Sequence, residues 1–464
     1  MQFDIVVTGG GISGAVAAIA AGRAGCKVLL ADRMGYPGGM LTAGGVGPMM
    51  TFHAGDVQVV QGITGELVER MKAKGTSPGH IYDTTTYTYT VTPFDAEGMK
   101  TELEDMLAEA GVTVLYHAML SGVETAAGEI KRVTFAVKGG QITAEAKVFI
   151  DATGDADLAY MAGVPCEKGM DGNGICQPLT MNLKLVNVDI AEVRAYIAAH
   201  PEEFPSMIDA KEAITRAPRL SLNGFLPALR AAQAAGELDF DRECVLVFET
   251  NNPNEVIVNM SRMKAYDPTD PWALSRAETE GRKQAQQLIR FLNKRVAGFA
   301  NASLVQTSPG QVGVRSSRQI CGLHTLSYID LVTGKRFADT IAHGGYPIDI
   351  HEPAGGHSQA YLALTEEEKH MGRGHVYSIP LGCLLNEAYH NLITVGRCIS
   401  AEFMAQAAIR VSPIAGAVGH GGGAAAAVAV KQNKPPIAVN ATDVQTLLRA
   451  QNAYLENPSK EGYV

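Results

Sequence analysis

The chain has 464 residues, of which 46% are hydrophobic and 19% are charged, and its formal net charge at pH 7 is −9. A chain of this length and composition buries a large core, and its modest charge content excludes disorder as its general state. Its acidic surface does not favour the phosphate backbone of nucleic acids, so we expect no nucleic-acid partner.

The seven cysteines, at positions 26, 166, 176, 244, 321, 383 and 398, include no C-x-x-C pair. This pattern gives little support to a disulfide framework, a zinc ribbon or a redox-active dithiol. The first residues lack the basic and apolar regions of a secretory signal, and the small apolar run Gly421–Val430 is too short to span a bilayer. We therefore expect a cytoplasmic protein without a membrane partner.

The first 32 residues have the pattern of a βαβ unit. A β-rich run, Phe3–Thr8, is followed by the glycine turn Gly9–Gly14, by helix formers in Ala15–Ala24, and by a second strand, Lys27–Ala31, which ends at Asp32. Such a unit predicts a parallel sheet with helices packed on its faces.

The glycine turn has the spacing G-x-G-x-x-G, and each glycine has a separate purpose. Gly9 permits the tight turn, Gly11 lets the backbone approach a pyrophosphate, and Gly14 lets the helix pack close to the strand. Asp32 lies 32 − 9 = 23 residues after Gly9, where a carboxylate accepts hydrogen bonds from an adenosine ribose. The unit therefore predicts the mononucleotide-binding half of a dinucleotide site, and the acid disfavours a 2′-phosphate, and with it NADP, in this half.

A second glycine-rich loop, Pro37–Gly45, follows the acid directly. Nicotinamide dehydrogenases have no such loop there, whereas a flavin requires a chain without side-chain bulk beside its pyrophosphate and ring. The turn Asp151–Asp155, after the strand Val148–Ile150, is a further place where the backbone can pass close to the cofactor.

Other elements follow from hydrophobic periodicity and turn residues. Helices are predicted at Gly62–Lys74, Asp95–Ala110, Ile190–His200, Leu226–Ala235, Trp272–Arg295, Pro413–Val430 and Thr442–Asn452, the last capped by Asn440 or Thr442. Strands are predicted at Val112–Tyr116, Met119–Glu124, Lys131–Val137, Lys147–Asp151, Val245–Glu249, Glu255–Met260 and Ile393–Val395. The glycine-poor stretch between about 165 and 301 indicates an inserted domain.

The long Ala/Gly helix near the C-terminus begins with Pro413, shortly after Arg410. Its N-terminus is suited to stabilising the negative charge that gathers at N1 and O2 of a reduced flavin.

Ten stretches along the chain resemble the bacterial FAD-dependent oxidoreductase family, a group of two-dinucleotide-binding-fold flavoproteins distantly similar to the fumarate reductase and succinate dehydrogenase flavoproteins. They are GGGISG, PGGMLTAGGVGP, VVQGITGELVERM, FIDATGDADLAYMAGVP, VNMSR, GVRSSRQICG, GGYPIDIH, YSIPLGCLL, NLITVGRCISAE and AIRVSPIAGAVGHGGGAAAA. One departure is that His420 and Gly422 stand where the family usually has Gln and Ala.

The resemblance implies an α/β protein with a Rossmann-like FAD-binding fold of the glutathione-reductase type and an inserted α+β substrate or cap domain. The expected limits are 1–165 for the first part of the FAD domain, 166–300 for the insert, 301–435 for the completion of the FAD domain and 436–464 for a C-terminal helix and tail. The residues expected to contact FAD are Gly9, Gly11, Ile12, Ser13, Gly14, Asp32, Arg33, Gly38, Gly39, Met40, Thr42, Met119, Ala152, Thr153, Gly154, Gly396, Arg397, Gly419 and Gly421.

The candidate catalytic residues are His351, Arg410, His53 and Tyr377. A histidine moves protons near neutral pH, and a strand would place His351 on the same face as Asp349, which would orient the ring or raise its pKa. Arg410 is a candidate for holding a substrate carboxylate or the flavin O2 edge.

Weaker candidates are His357, His375 and one member of the pair Arg315 and Arg318. Asp349, His351 and Glu352 are not joined by a second cluster with ligand spacing, so we expect no metal.

These residues predict an FAD-dependent oxidoreductase that transfers hydride between a small polar organic substrate and flavin N5. One alternative is an ene-type reductase of a conjugated carboxylate, which requires two arginines that clamp the substrate. Another is an electron-transfer flavoprotein subunit, although the sizeable insert argues against it. The chain is a candidate homo-oligomer, and the sequence does not identify the substrate or the electron partner.

Overall fold

The computed structural model describes residues 1–210, 214–215, 217–351, 365, 371 and 374–456. The strands are β1 Ile5–Thr8, β2 Val28–Ala31, β3 His53–Ala54, β4 Val57–Gln58, β5 Ile81–Tyr82, β6 Thr90–Val91, β7 Thr113–Leu115, β8 Met119–Ala126, β9 Glu129–Val137, β10 Gly140–Glu145, β11 Val148–Asp151, β12 Cys166–Lys168, β13 Leu183–Val186, β14 Ser221–Gly224, β15 Val245–Glu249, β16 Val256–Val258, β17 Ser303–Thr307, β18 Arg318–Ile320, β19 Thr340–Gly344, β20 Tyr377–Pro380 and β21 Leu392–Thr394.

The α-helices are α1 Ile12–Arg23, α2 Gly62–Ala73, α3 Ala96–Glu109, α4 Asp157–Ala162, α5 Ile190–Ala199, α6 Leu226–Ala234, α7 Pro271–Arg295, α8 Tyr328–Val332, α9 Phe403–Ile409, α10 Ser412–Gln432 and α11 Ala441–Ala450. The helices predicted from periodicity lie within a few residues of these limits. Asn440 caps α11, because its side chain accepts a hydrogen bond from the backbone N–H of Thr442 at 2.9 Å.

The first sheet of the fold is parallel and has the strand order β21–β11–β1–β2–β7. Strands β1, β2 and β11 are buried along their whole length and are almost continuously apolar, as expected for strands covered on both faces. Because parallel strands end at one edge, the Gly9 turn, Asp32 and the turn after Asp151 meet there.

Helices α1 and α10 pack against each other at very short range through glycines of α10. A Cβ at Gly419 would lie 2.1 Å from the carbonyl oxygen of Ser13, and one at Gly423 would lie 2.3 Å from that of Ala17. Both glycines are four residues apart and share a helix face. Their lack of side chains therefore sets the distance between the two helices.

Among the residues that the structure describes, α10 is the helix long and apolar enough to cross a membrane by length and composition. Its most apolar window is 89% buried inside the protein. The core helix of a folded protein passes the same test of length and hydropathy.

A second five-stranded sheet, in the order β14–β15–β16–β13–β17, is antiparallel and has its own apolar core, to which α5 and α7 contribute. Its last strand, β17, lies just beyond residue 300, where the sequence predicts the end of the insert; the domain limits stay a prediction. The amide of Asn182 and the hydroxyl of Ser308 both donate to the carbonyl of Gly44, at 3.1 and 2.9 Å. This sheet therefore packs against the second glycine loop.

Candidate active site

The three glycines of the first turn are constrained in different ways. Gly9 has φ +100°, and a Cβ there would lie 2.5 Å from the carbonyl oxygen of Ala152, while a Cβ at Gly14 would lie 1.9 Å from that of Gly9. Gly11 has φ −60° and ψ 174°, which any residue adopts, and its Cβ would meet nothing nearer than Gly39 Cα at 3.9 Å. The fold thus requires glycine at positions 9 and 14 but leaves open space at Gly11, as a pyrophosphate cradle would.

The second glycine loop is joined to the first. The backbone N–H of Gly38 donates to the carbonyl of Gly10 at 2.9 Å, and a Cβ at Gly39 would lie 2.8 Å from Gly11 Cα. Gly38 and Gly39 have φ +106° and +57°. The adjacent Met40 is half-buried, and the buried Thr42 donates its hydroxyl to the carbonyl of Pro37 at 2.7 Å.

Asp32 is fixed by the backbone of both neighbouring turns. Its carboxylate accepts the N–H of Met34 at 2.6 Å and the N–H of Gly10. Burial raises the pKa of Asp32. Each oxygen keeps a further lone pair for a ribose hydroxyl. Arg33 is exposed beside it, and Met119, 61% exposed, follows Ala118, whose N–H donates to the carbonyl of Asp32 at 2.9 Å.

The third turn comes after β11. Thr153 donates its hydroxyl to Asp151 at 2.7 Å and accepts the N–H of Asp157 at 2.8 Å, which orders the start of α4. Gly154 has φ +80° and lies under the guanidinium of Arg397. Arg397 pairs with Asp155 at 2.7 Å and keeps a buried Nε without a partner among the described residues.

Several other expected FAD contacts are packed against protein. Ile12 and Ser13 are buried in the first turn of α1, and a Cβ at Gly396 would lie 2.8 Å from Ser13 Oγ. Gly419 faces the backbone of Ser13, and a Cβ at Gly421 would lie 2.5 Å from the side chain of Ile341. The roles of these residues toward the cofactor stay predictions.

Three residues of one segment, Tyr346, Asp349 and His351, meet two arginines from distant segments, Arg315 and Arg410, and we call these five residues the Asp349 cluster. Asp349 accepts a hydrogen bond from the Tyr346 hydroxyl at 3.1 Å and pairs with Arg410 Nη2 at 3.1 Å, and it lies 3.4 Å from His351 Nε2. Arg315 is the fifth member and interacts electrostatically with Asp349 and Arg410. The structure therefore brings together two of the candidate catalytic residues, His351 and Arg410.

The charges of this cluster set the protonation of its members. Although burial opposes it, the contacts with His351 and Arg410 hold the pKa of Asp349 well below its usual range. Burial and the charge of Arg315 lower the pKa of His351 to about 4. Asp349 does act to raise the pKa of His351, as expected, but burial and the charge of Arg315 outweigh the carboxylate, so the net shift is downward and the ring is neutral at pH 7.

The two remaining candidates have partners other than Asp349: Tyr377 bonds a cluster member only through the backbone of that residue, and His53 bonds a residue outside the cluster. Tyr377 is fully buried and donates to the carbonyl of Tyr346 at 3.0 Å, while His53 Nδ1 contacts Thr90 Oγ1 at 2.9 Å. Burial lowers the pKa of His53 and raises that of Tyr377.

Of the three other weaker candidates, two have partners outside the cluster and one lies outside the residues that the structure describes. Arg318 pairs with Asp157 and stacks on Tyr160. His375 Nε2 contacts the carbonyl of Leu331 at 2.6 Å. His357 lies outside the described residues.

Sequence reasoning missed four residues near the cluster: Arg242, Arg262, Gln177 and Gln406. Gln177 accepts the N–H of His351 at 3.2 Å, and Gln406 donates to the carbonyl of Arg315 at 2.9 Å. Each keeps one buried side-chain atom, Gln177 Nε2 and Gln406 Oε1, without a partner among the described residues. They come from separate segments, so no local spacing marks them.

The glycine turn, the buried acid and the second loop together define a flavin-binding dinucleotide fold. The chain belongs to the FAD dependent oxidoreductase family, whose model matches residues 4–448. The protein is an FAD-dependent oxidoreductase with FAD as its cofactor, and the Rossmann-like fold class predicted from the sequence is confirmed. The open space at Gly11 and the free lone pairs of Asp32 fit this group.

No curated protein matches the chain. Solved structures to which it is similar include the myxobacterial chondrochloren halogenase, with 14% identity and a TM-score of 0.49 over 97% of this chain and 79% of that one. A flavin-dependent brominase has 13% identity and a TM-score of 0.47 over 97% and 84%. A geranylgeranyl bacteriochlorophyll reductase-like protein from Thermoplasma acidophilum has 12% identity and a TM-score of 0.45 over 97% and 83%. Likeness at this level does not indicate the reaction of this chain.

Proposed function

We propose that the protein oxidises a small polar organic substrate by hydride transfer, with the Asp349 cluster as its active site and His351 as the proton acceptor. The observation that carries this proposal is the pairing of His351 Nε2 with Asp349 at 3.4 Å. FAD, when bound, supplies the hydride acceptor.

His351 has the properties of a general base at neutral pH. Its lowered pKa of about 4 keeps the ring unprotonated. With the Nε2–H directed at the ionised Asp349, the lone pair of Nδ1 is available to accept a proton from a substrate hydroxyl or amine. About a quarter of the side-chain surface, 26%, is exposed, which leaves the ring accessible to a small molecule.

Asp349 and Arg410 position this base. Arg410 bonds both the side chain and the carbonyl of Asp349, each at 3.1 Å, and Tyr346 bonds the side chain from another direction. A carboxylate held by several donors fixes the tautomer and orientation of the imidazole that faces it. Arg410 directly precedes the N-terminal residues of α10, the helix that packs on α1.

One observation favours a second function, the reduction of a conjugated carboxylate. That reaction requires two arginines at one site, and Arg315 and Arg410 lie around the same carboxylate. A neutral His351 is a poor acid, however. It is better suited to accept a proton from a substrate that is oxidised than to donate one to a substrate that is reduced, so oxidation is the first proposal.

An anaerobic experiment tests the proposal. The oxidised holoenzyme is mixed with a panel of small alcohols, amines and hydroxy acids, and bleaching of the flavin band is followed. We expect reduction by at least one compound, slowed by about 10²–10⁴-fold in His351→Ala at matched FAD content. His375→Ala is the matched control, because its ring bonds Leu331 outside the cluster.

Three outcomes contradict oxidation at this site. One is a His351→Ala variant within about threefold of the parent, far short of the effect of a general base. Another is rapid reduction by NADPH with none by the panel. The third is reoxidation of the dithionite-reduced enzyme by fumarate when no compound of the panel reduces the flavin, which would select the second function. A small-molecule substrate, a cytoplasmic location and a homo-oligomer remain parts of the proposal.

A further inference from the structure

Two arginines of the antiparallel sheet lie beside the Asp349 cluster without a catalytic role so far. Arg242 precedes β15 and Arg262 follows β16, and the pairing of Val247 with Val258 brings these two strand ends together. The backbone of Met263, next to Arg262, pairs with that of Leu179, and the hydroxyl of the adjacent Thr180 accepts a hydrogen bond from Arg315. The charge of Arg242 also interacts with those of Arg262 and Asp349. The insert therefore adds two guanidinium groups to the cluster.

The side chain of Arg242 is buried and that of Arg262 is mostly buried, with 11% of its surface exposed, and both are incompletely bonded. Arg242 is 9% exposed and donates through Nη2 to the carbonyl of Asn259 at 3.2 Å. Arg262 donates through Nη1 to Glu243 at 2.8 Å. The Nε of each arginine is buried and has no partner among the described residues, and the same is true of Gln177 Nε2. These are donors without acceptors.

The charges at this place do not balance. Four guanidinium groups, those of Arg242, Arg262, Arg315 and Arg410, interact around one half-buried carboxylate, Asp349, while the side chain of Glu243 is 72% exposed. Burial and the charge of Arg410 lower the pKa of Arg315 to about 9. Unpaired buried charge is unfavourable, so an anion in this place stabilises the folded protein.

We infer that the substrate carries a carboxylate, and that Arg242 and Arg262 of the insert bind it beside Arg315. This inference rests on the proposed function, because the carboxylate belongs to the molecule that His351 deprotonates. Guanidinium forks match carboxylates geometrically. Glycine loops and helix N-termini are the usual phosphate cradles, whereas Arg242 and Arg262 lie at strand ends. These features favour a carboxylate over a phosphate.

The test is a binding titration of the oxidised holoenzyme, so it needs no turnover and stays readable if the hydride-transfer proposal fails. Malonate is the probe, inorganic phosphate and malonamide are the comparison compounds, and the perturbation of the flavin absorbance is the signal. We expect saturable binding of malonate that is tighter than that of phosphate, and no binding of the neutral diamide.

Variants assign the binding to these arginines. Arg242→Met and Arg262→Met are expected to weaken malonate binding about tenfold or more each, because each loses charge-assisted hydrogen bonds. Arg282→Met, which removes an exposed guanidinium paired with Glu278, is the matched control and should stay within twofold. Glu243→Gln is expected to tighten binding a few-fold, because it frees Arg262 from its carboxylate.

Opposite effects of Arg262→Met and Glu243→Gln at unchanged FAD content separate a binding role from a structural one. If Arg242→Met does not fold, Arg262→Met and Glu243→Gln decide the question without it. The inference is overturned if malonate does not perturb the FAD-loaded parent, if the folded variants bind it like the parent, or if phosphate binds at least as tightly.

Discussion

Replacing Gly11 with alanine is expected to abolish FAD binding while leaving the fold of the protein intact. Its backbone, at φ −60° and ψ 174°, suits any residue, and a Cβ would approach only Gly39 Cα, at an ordinary contact distance of 3.9 Å. Without FAD the change should alter the free energy of unfolding by no more than about 0.5 kcal/mol, as at unconstrained positions. The new methyl group would instead occupy the space that the pyrophosphate requires.

Gly14→Ala provides the contrast within the same turn. Its Cβ would lie 1.9 Å from the carbonyl oxygen of Gly9 and 2.8 Å from the Cβ of Ala152. Backbone has to move to relieve such an overlap, and overpacking of this kind costs about 1–3 kcal/mol or more. Gly65→Ala is the control in helix α2, because its Cβ would meet Gln58 Nε2 at 3.4 Å and the carbonyl oxygen of Val60 at 3.7 Å, both ordinary contact distances. It should be neutral or stabilising by up to about 1 kcal/mol.

Thermal unfolding with and without added FAD, together with the FAD content after gel filtration, distinguishes these cases. At 100 times its dissociation constant, a ligand stabilises the folded state by about 2.7 kcal/mol. The parent and Gly65→Ala should show that gain, and Gly11→Ala should lack it although its melting temperature without FAD equals that of the parent. Stoichiometric FAD in Gly11→Ala, or a loss of stability equal to that of Gly14→Ala, would refute the reasoning.

Three further predictions concern charge and protonation. Asp32→Ala should weaken FAD binding by about 10- to 150-fold without abolishing it, and Asp32→Asn by less, as measured by fluorescence titration; equal losses would contradict the ribose role. The rate of flavin reduction should remain constant down to about pH 5 and fall as the pH drops through the His351 pKa of about 4, since the base acts only when unprotonated; a fall centred near pH 6.5 would contradict this. Burial lowers the pKa of His343 and His420 to about 4, so the unfolded chain binds more protons between pH 6.5 and 4. As the pH falls through this range, the free energy of unfolding should therefore decrease by up to about 1.4 kcal/mol per pH unit for each histidine. His420→Gln should reduce this slope, as measured by urea titrations at a series of pH values.

Local patterns predicted much of the fold because the interactions that form it are local. One βαβ unit contains the glycine turn, α1, β2 and Asp32, and the spacing of these residues in the sequence is enough to predict which of them meet. The strand β13 was not predicted although Leu183, Lys184 and Leu185 alternate in burial, and its pairing with β17 was not predicted because the two strands lie more than 110 residues apart in the chain.

The glycines of α10 are an example of a sequence pattern that has two physical explanations. The sequence suggested that Gly419 and Gly421 face a flavin, and the structure packs both against protein, at Ser13 and Ile341. Close helix packing and close approach of a cofactor demand the same absence of a side chain. His420, between these two glycines, contacts Gln451 at 2.7 Å, a partner that lies 31 residues further along the chain.

The candidate site was only partly predictable for a related reason. His351 and Arg410 belong to stretches with a family resemblance, whereas Arg242 and Arg262 become relevant only after the antiparallel sheet brings two strand ends to the Asp349 cluster. No spacing in the sequence marks that approach. The direction of the His351 pKa shift was not predictable either, because it depends on burial and on the charge of Arg315, from a distant segment.

A crystal structure of the FAD-bound protein would test the central claim most directly. The account predicts the adenosine at Asp32, the pyrophosphate at Gly11 and the flavin ring beside the Asp349 cluster. A substrate between His351 and the ring would then have its reacting atoms about 3–3.5 Å apart. An isoalloxazine ring on the other side of α10, or one separated from His351 by packed side chains, would contradict it.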